Sequence, residues 1–497
     1  MNILFITADQ WRADCLGTLA AALPHGLPAR TPALDSFARE AVLFRRHYTQ
    51  ATPCGPSRAC LLTGTYGFNN RSISNGTPLD ARHLTIAQLV RRAGYDPRLF
   101  GYSDTSIDPR SVPADDPRLS TYEGIAAGFR PGCVLLEDGA AWLEHLARRG
   151  YGRRSIDEIY ATPLGEPACW AAEDSETAFL TDRFLEFLAA PHSRPWFAHL
   201  SYIKPHPPWL AAAPYHALFE RSAMPKPRRA ASIKDEAARH PYLAALLEQP
   251  FGGWLGRTVG RPAALGDAVV AELRAVYLGL VAELDRQIGR VLNALAAAGV
   301  LDETLVIVTA DHGEMLGDGW QLGKQGFRPE AFHVPLLIRH PKQRAAGRVV
   351  DVFTEHVDLV PTILESLGIE IPRQCDGHTL LPFLRGETPE EWRTAAVYEH
   401  DFRDLEHGRH RTALGLDDDS CGILVRRSAD RLYAQFAGLE PLCWAVDEAG
   451  DADAIEDPAI LFAEAQALLR HRMVKAERRL TGCLLTAGGV IGGFDPL

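Results

Sequence analysis

Apolar positions along this chain follow two periods, and the order in which they alternate predicts an α/β fold. Continuous apolar runs, expected of strands covered on both faces, stand at residues 2–8 and 305–309. Shorter strand patterns occur at 98–100, 196–202 and 333–339. Between them lie helical periods at 79–93 (Leu84, Ile86, Leu89 and Val90 as the stripe), 174–188, 265–298 (Leu273, Val276, Leu280, Leu284) and 356–367. Pro361 should start or kink the last of these. Such alternation predicts a large mixed, mostly parallel sheet flanked by helices.

The pattern changes near residue 386. Residues 395–399 and 422–427 read as strands of an antiparallel sheet, and 459–478 as a helix. Two units are therefore expected: a catalytic α/β domain over 1–385 and a smaller C-terminal α+β subdomain over 386–497. Residues 109–173 and 225–262 are broken by Pro and Gly without a period and predict irregular inserts. The tail 481–497 is apolar and glycine-rich (Leu484, Leu485, Val490, Ile491, Phe494). Too short for a core of its own, it should pack on its own domain or on a neighbouring subunit, and a homo-oligomer (dimer or tetramer) is expected.

Composition narrows the function classes. With 497 residues, 46% hydrophobic and 23% charged, the chain has the make-up of a soluble globular protein with more than one core. No apolar run approaches the ~20 residues of a membrane span. The N-terminus enters a strand directly, without a secretory pattern, so a cytoplasmic location is expected. Nine cysteines lack any Cys-x-x-Cys pair, which argues against a disulfide framework or a thiolate zinc site. A formal net charge of −11 disfavours nucleic acid as a partner. An anionic substrate would then need local cations to draw it in.

The densest chemistry lies in Cys54-Gly55-Pro56-Ser57-Arg58, closed by Leu61-Leu62-Thr63-Gly64. Pro56 suits the first turn of a helix and Gly64 its stop. A helix of about two turns would put Cys54 at an N-terminus that attracts anions, with Arg58 one turn in. Two strand ends carry further candidates. Asp9-Gln10 follows the first strand, where a helix-capping Asp is equally ordinary. Asp311-His312 follows the strand at 305–309 and offers an oxygen and an imidazole ligand.

Cys-x-Pro-Ser-Arg with Leu-Thr-Gly resembles the signature of the type I, formylglycine-dependent sulfatases of the alkaline phosphatase superfamily. The likeness runs from residue 1 to about Pro382 and leans toward the branch holding phosphonate monoester hydrolases and arylsulfatases. It implies that a formylglycine-generating enzyme oxidises Cys54 to 3-oxoalanine, whose hydrate is the nucleophile. After attack the other hydroxyl of the geminal diol expels the group by C–O cleavage. Asp9, Gln10, Asp311 and His312 would hold one divalent metal ion against residue 54. Oxygen ligands suit Ca²⁺, Mg²⁺ or Mn²⁺, while the imidazole tilts toward Mn²⁺ or Zn²⁺; Ca²⁺ or Mn²⁺ is the expectation. Arg58 would stabilise the hydrate, and Lys324 and Asn75 would contact substrate oxygens. His206, in Lys204-Pro205-His206-Pro207-Pro208, would face the leaving group. Tyr102 and Thr105 (or Asp104) would stand where sulfatases usually carry Lys and His.

The implied activity is metal-dependent hydrolysis of a small anionic ester: a sulfate ester, a phosphonate monoester or a phosphodiester. A phosphodiesterase or phosphatase of the same superfamily with an unmodified nucleophile would need a second metal shell. A degenerate sulfatase-like binding protein would show inert residues at catalytic positions.

Overall fold

The computed structural model describes residues 1–23, 25–342, 344–446 and 454–493; Phe494 of the apolar tail lies outside them. The first part of the chain supplies β1 (Asn2–Ala8), β2 (Val42–Tyr48), β3 (Ala51–Thr52), β4 (Arg98–Gly101), β5 (Arg130–Val134) and β6 (Phe197–Tyr202). The second supplies β7 (Thr304–Ala310), β8 (Leu336–Arg339), β9 (Val349–Glu355), β10 (Ala395–Asp401), β11 (Gly422–Ser428), β12 (Arg431–Phe436) and β13 (Leu442–Ala445). Eight of these form one sheet in the order β5-β4-β6-β1-β7-β8-β2-β9. Only β8 runs against its neighbours.

The central strands are apolar on both sides because both faces are covered. Leu4, Ile6 and Ala8 of β1, with Val306, Val308 and Ala310 of β7, face one core, and Ile3, Phe5, Leu305 and Ile307 face the other. Each such Leu, Ile, Val or Phe side chain contributes about 1.5–3 kcal/mol by leaving water. Six longer helices matter here: α1 (Cys54–Thr63), α2 (Ile86–Arg91), α3 (Glu176–Ala189), α4 (Asp267–Ala297), α5 (Leu359–Ser366) and α6 (Pro458–Lys475). Helices α3 and α4 cover the first face; α1, α2 and α5 cover the second. A second sheet, β13-β12-β11-β10-β3, is antiparallel except for the β10–β3 pair. Its last strand ends two residues before Cys54, so the C-terminal sheet is hydrogen-bonded directly to the segment that delivers that residue.

Several boundaries differ from the sequence reading, each for a local reason. The helix expected over 79–93 is confined to α2, because Thr85 and Gln88 form a reciprocal capping box that fixes its start. The insert 109–173 contains β5 and a helix at Ala140–Leu146. Strand β5 sits at the sheet edge and carries Pro131 and Gly132, so it shows no apolar alternation. The insert 225–262 holds three short helices, Ile233–Ala238, Pro241–Glu248 and Gly253–Thr258, none long enough to establish a period. Pro335 has no N–H for a ladder and shortens the strand of 333–339 to β8. Pro361 falls in the first turn of α5 and starts it without a kink. The described part of the tail forms a hairpin of β14 (Cys483–Thr486) and β15 (Gly489–Gly492) whose apolar side chains are exposed. Leu485 is 77% exposed and Ile491 61%.

Gly101 ends β4 at φ +101°, and a Cβ there would stand 2.0 Å from the backbone oxygen of Ser201 in β6. Gly101→Ala should therefore cost about 3 kcal/mol or more, since the clash is with a neighbouring strand and φ is left-handed. Denaturant unfolding of the variant checks this, and a loss below about 1 kcal/mol would contradict the close approach.

Candidate active site

Strands β1, β7, β4 and β6 are mutually parallel through their ladders, so their C-terminal ends open on one edge of the sheet. That edge receives Asp9 and Gln10 from β1, Asp311 and His312 from β7, Tyr102 from β4 and the loop carrying His206 from β6. Helix α1 enters the same place with all ten of its residues buried and stops at Gly64, whose φ of 69° is left-handed. The predicted helix and its stop are both present.

Arg58 ties the edge together. Its Nη2 lies 3.1 Å from Asp9 Oδ2 and its Nε 3.0 Å from Asp311 Oδ2. Nη1 donates to the Tyr102 carbonyl at 3.0 Å and to the Ser201 hydroxyl at 2.8 Å. The guanidinium stacks over the Tyr102 ring, 4.2 Å from its centroid. All of these groups are buried, so the attraction acts with little screening. Tyr102 also donates its hydroxyl to Asp9 Oδ2.

Asp9, Cys54, Asp311 and His312 each present a ligand atom within 4.8 Å of the others, and all four are buried. Burial alone would raise the Asp9 carboxyl, but His206, Lys324, Arg58 and His312 outweigh it and hold Asp9 below the usual carboxylate range. Asp311 goes the other way, pushed up by burial and by the neighbouring Asp9 charge. Burial and the Lys324 ammonium lower His312 to about 3, so its imidazole is neutral. Its Nδ1 donates to the Gly313 carbonyl at 2.9 Å, which leaves the Nε2 lone pair facing Cys54 Sγ at 3.3 Å. Two carboxylates and a neutral imidazole nitrogen fit a divalent cation. Burial and Asp9 also drive the Cys54 thiol well above its ordinary value.

Lys324 donates to Cys54 Sγ and to Gln10 Oε1, both at 2.9 Å. Gln10 in turn donates to Glu314. Glu314 accepts as well from the N–H groups of Leu316 (3.1 Å) and Gly323 (2.6 Å), so it holds the Lys324 loop and the Gln10 amide together. Its place in Asp311-His312-Gly313-Glu314 was visible in the sequence, but its role as a brace was not.

The expected cradle of free N–H groups at the start of α1 is replaced by a different arrangement. The Gly55 N–H donates to Asn75 Oδ1 at 2.9 Å, and the Ser57 N–H to the Pro53 carbonyl at 3.1 Å. Pro56 has no N–H at all. Asn75 is fixed by that bond with its amide NH₂ as the end left to donate. A Cβ at Gly55 would meet both Asn75 Oδ1 and the Asp104 carbonyl at 3.3 Å, so the close approach calls for glycine.

His206 is lowered to about 4, by burial first and by Lys324 next. Its Nδ1 donates to the Pro207 carbonyl at 2.6 Å, and Lys204 braces the loop through the His206 and Pro208 carbonyls at 3.2 Å each. A cleft of about 870 Å³ is lined by Gln10, Asn75, His206 and Lys324 together with Tyr122 and Glu137. Thr105 is engaged elsewhere: its hydroxyl donates to the Ser103 carbonyl at 2.9 Å and its N–H to Gly124. No hydrogen bond among the described residues joins Thr105 to the Cys54 cluster.

An eight-stranded α/β sheet with a cysteine-led helix, two carboxylates and a histidine on its edge defines a class of hydrolase, and comparison with known proteins agrees. The family model described as Sulfatase matches residues 1–369, and the chain belongs to that family, within the alkaline phosphatase superfamily. A multifunctional alkaline phosphatase superfamily protein, PehA of Trinickia caryophylli, is 39% identical over 97% of this chain and 96% of its own. The phosphonate monoester hydrolase of Agrobacterium radiobacter superposes with a TM-score of 0.93 at 39% identity, covering 99% of this chain and all (100%) of the other. That of Silicibacter pomeroyi gives 0.91 at 41% identity, with 99% of each chain covered.

If the cluster holds a cation, Mn²⁺ or Ca²⁺ added to chelator-treated protein raises its melting temperature. At a hundred times the dissociation constant the gain is about 2.7 kcal/mol. Asp311→Asn should lose most of that shift, read by thermal melts and calorimetry. Equal shifts in the two proteins would place the cation elsewhere.

Proposed function

We propose that this protein hydrolyses phosphonate monoesters and sulfate esters, with phosphodiesters as further substrates, and that Cys54 oxidised to formylglycine is its nucleophile. The observation that carries the reading is the convergence of Cys54 with Asp9, Asp311 and His312 within 4.8 Å, flanked by the buried Arg58 and by Lys324. Full-length likeness to two phosphonate monoester hydrolases favours the phosphonate ester as the better substrate. A monoanionic sulfate ester has the same size, charge and tetrahedral shape, so the two activities overlap.

A bound Ca²⁺ or Mn²⁺ would supply Lewis acidity, easing loss of a proton from a hydroxyl on residue 54 and offsetting the ester's charge. Arg58 fixes the two carboxylates. Lys324, now on Cys54 Sγ, is placed to reach a non-bridging oxygen, and the Asn75 amide another. His206 lines the cleft and is our candidate to protonate a departing alcohol or phenol. Its lowered affinity for a proton is relieved when the ester brings a negative charge beside it. Among the described residues, the one cluster suited to a metal ion is that of Asp9, Cys54, Asp311 and His312, and this favours the single-cation chemistry over a two-metal phosphatase.

The maturation partner in this reading is a formylglycine-generating enzyme. Nine cysteines without a disulfide fit a cytoplasmic location; no helix of the described residues is long and apolar enough to cross a membrane. The exposed apolar side chains of the hairpin β14–β15, and those of Phe462, Leu469 and Met473 on α6, are suited to contact between copies of this chain.

Mass spectrometry of the Cys54 peptide from native-host protein should find the aldehyde. Cys54→Ala should lower kcat/KM for an aryl phosphonate and an aryl sulfate by roughly 10³-fold or more. His206→Ala should cost about 10²-fold on an alkyl ester and much less on a p-nitrophenyl ester, whose leaving group needs no proton. A thiol at position 54 in fully active protein would contradict the proposal. For assembly, the pair Leu485→Glu and Ile491→Glu should lower the sedimenting mass; an unchanged mass would count against the hairpin contact.

A further inference from the structure

The insert 225–262 brings apolar side chains to the cleft that holds Lys324. Phe251, Trp254 and Leu255, on and just before the short helix Gly253–Thr258, line it together with Gln10, Asn75, His206 and Lys324. All three are half-buried and pack on the main core with part of their surface. Trp254 is fixed by the Tyr160 ring, 5.6 Å away between centroids, and by the Arg257 guanidinium, 4.5 Å from the centroid of its own ring. Leu255 reaches the Lys324 loop, since a Cβ on Gly323 would stand 3.2 Å from Leu255 Cδ1. The apolar strip therefore starts one residue from the ammonium that sits on Cys54 Sγ.

The anionic head of an ester has no use for this strip. Sulfate and phosphonate oxygens need donors and cations, whereas the strip is mostly aromatic carbon and methyl groups. Charges elsewhere along the cleft are already engaged: Arg403 donates to Asp401 at 2.9 Å, Arg409 to Asp404 at 3.0 Å, and Glu137 accepts from Tyr122 at 3.1 Å. At about 870 Å³ the cleft is also far larger than the anion itself. What remains to be placed is the alcohol portion of the ester.

We infer that the strip Phe251–Trp254–Leu255 binds the leaving group, and that the preferred substrates are esters of apolar alcohols long enough to reach from residue 54 onto the insert. This rests on the hydrolase reading above and adds the chemical class of the leaving group to it. An apolar chain laid on the strip leaves water on one side, and a strip anchored on the core is already in place to receive it. Full burial of a methylene is worth about fourfold in affinity, so a one-sided wall should return about twofold for each methylene.

Ethyl and hexyl esters of one phosphonate test this, because they release alkoxides of nearly equal basicity and differ only in apolar length. Metal-loaded wild type should show a kcat/KM roughly tenfold higher for the hexyl ester, carried by KM. That ratio should fall to about twofold in the double variant Phe251→Ala with Trp254→Ala, and by a smaller factor in Trp254→Ala alone. General damage to the protein would instead lower both esters and leave the ratio standing. A wild-type ratio near one, or a ratio unmoved in both variants, overturns the strip. Calorimetric binding of ethylphosphonate and hexylphosphonate separates this inference from the hydrolase reading. The longer anion should bind wild type roughly tenfold more tightly and lose that margin in the double variant. The margin without turnover of any ester would sink the hydrolase reading and leave the strip standing, whereas turnover with no preference for chain length would remove the strip alone.

Discussion

Two carboxylates, Asp9 and Asp311, are buried side by side at one edge of the sheet, and the guanidinium of Arg58 spans both. Neither charge would be tolerable there alone. An isolated carboxylate costs several kcal/mol to remove from water, and two together repel. Arg58 offsets one negative charge and Lys324, from the other side, a second. The pair still titrates apart, with Asp9 held ionised and Asp311 pushed toward its neutral form. That imbalance is what a divalent cation would relieve, and it explains why the carboxylates, the imidazole of His312 and residue 54 sit so close together.

Backbone architecture makes the arrangement possible. Parallel strands bring residues separated by hundreds of positions to the same edge, each one just past its strand's C-terminal end. Helix α1 is wedged between that edge and the C-terminal sheet. Ser57 of α1 donates to the Asp311 carbonyl and shares a second hydrogen bond with the Thr49 hydroxyl, while β3, just upstream, pairs with β10. Residue 54 is thus fixed from both units of the fold, which suits a nucleophile that must meet a cation with little freedom to spare.

Much of this was legible in the sequence, and the legible parts share a cause. Strands β1 and β7 are covered on both faces and therefore read as uninterrupted apolar runs; α4 is long enough for its period to show; Asp9 and Asp311-His312 follow such strands directly, and Cys54 opens a helix that Pro56 and Gly64 mark in the sequence. Where an element is short, exposed on one face or at an edge, the pattern fades. Strand β9 alternates Val350 and Phe353 with the exposed Val349 and Asp351, and β5 carries Pro and Gly. Side-chain commitments were out of reach altogether. Nothing in Ser103-Asp104-Thr105 says that the hydroxyls on either side are used up and the carboxyl between them is not, because the Ser103 bonds run to Gly124 and Ala126, some twenty residues on, and the Thr105 hydroxyl turns back onto the Ser103 carbonyl. Glu314 was hidden in the same way, since it joins its own loop, at Leu316 and Gly323, to Gln10 on a segment distant in sequence.

The most direct test of the account is diffraction from crystals grown with Mn²⁺, with data collected at the manganese absorption edge. One anomalous peak is expected, within about 2.6 Å of oxygens of Asp9 and Asp311 and in contact with residue 54. A peak bound elsewhere, or none with Asp9, Asp311 and residue 54 in the places described, would contradict it.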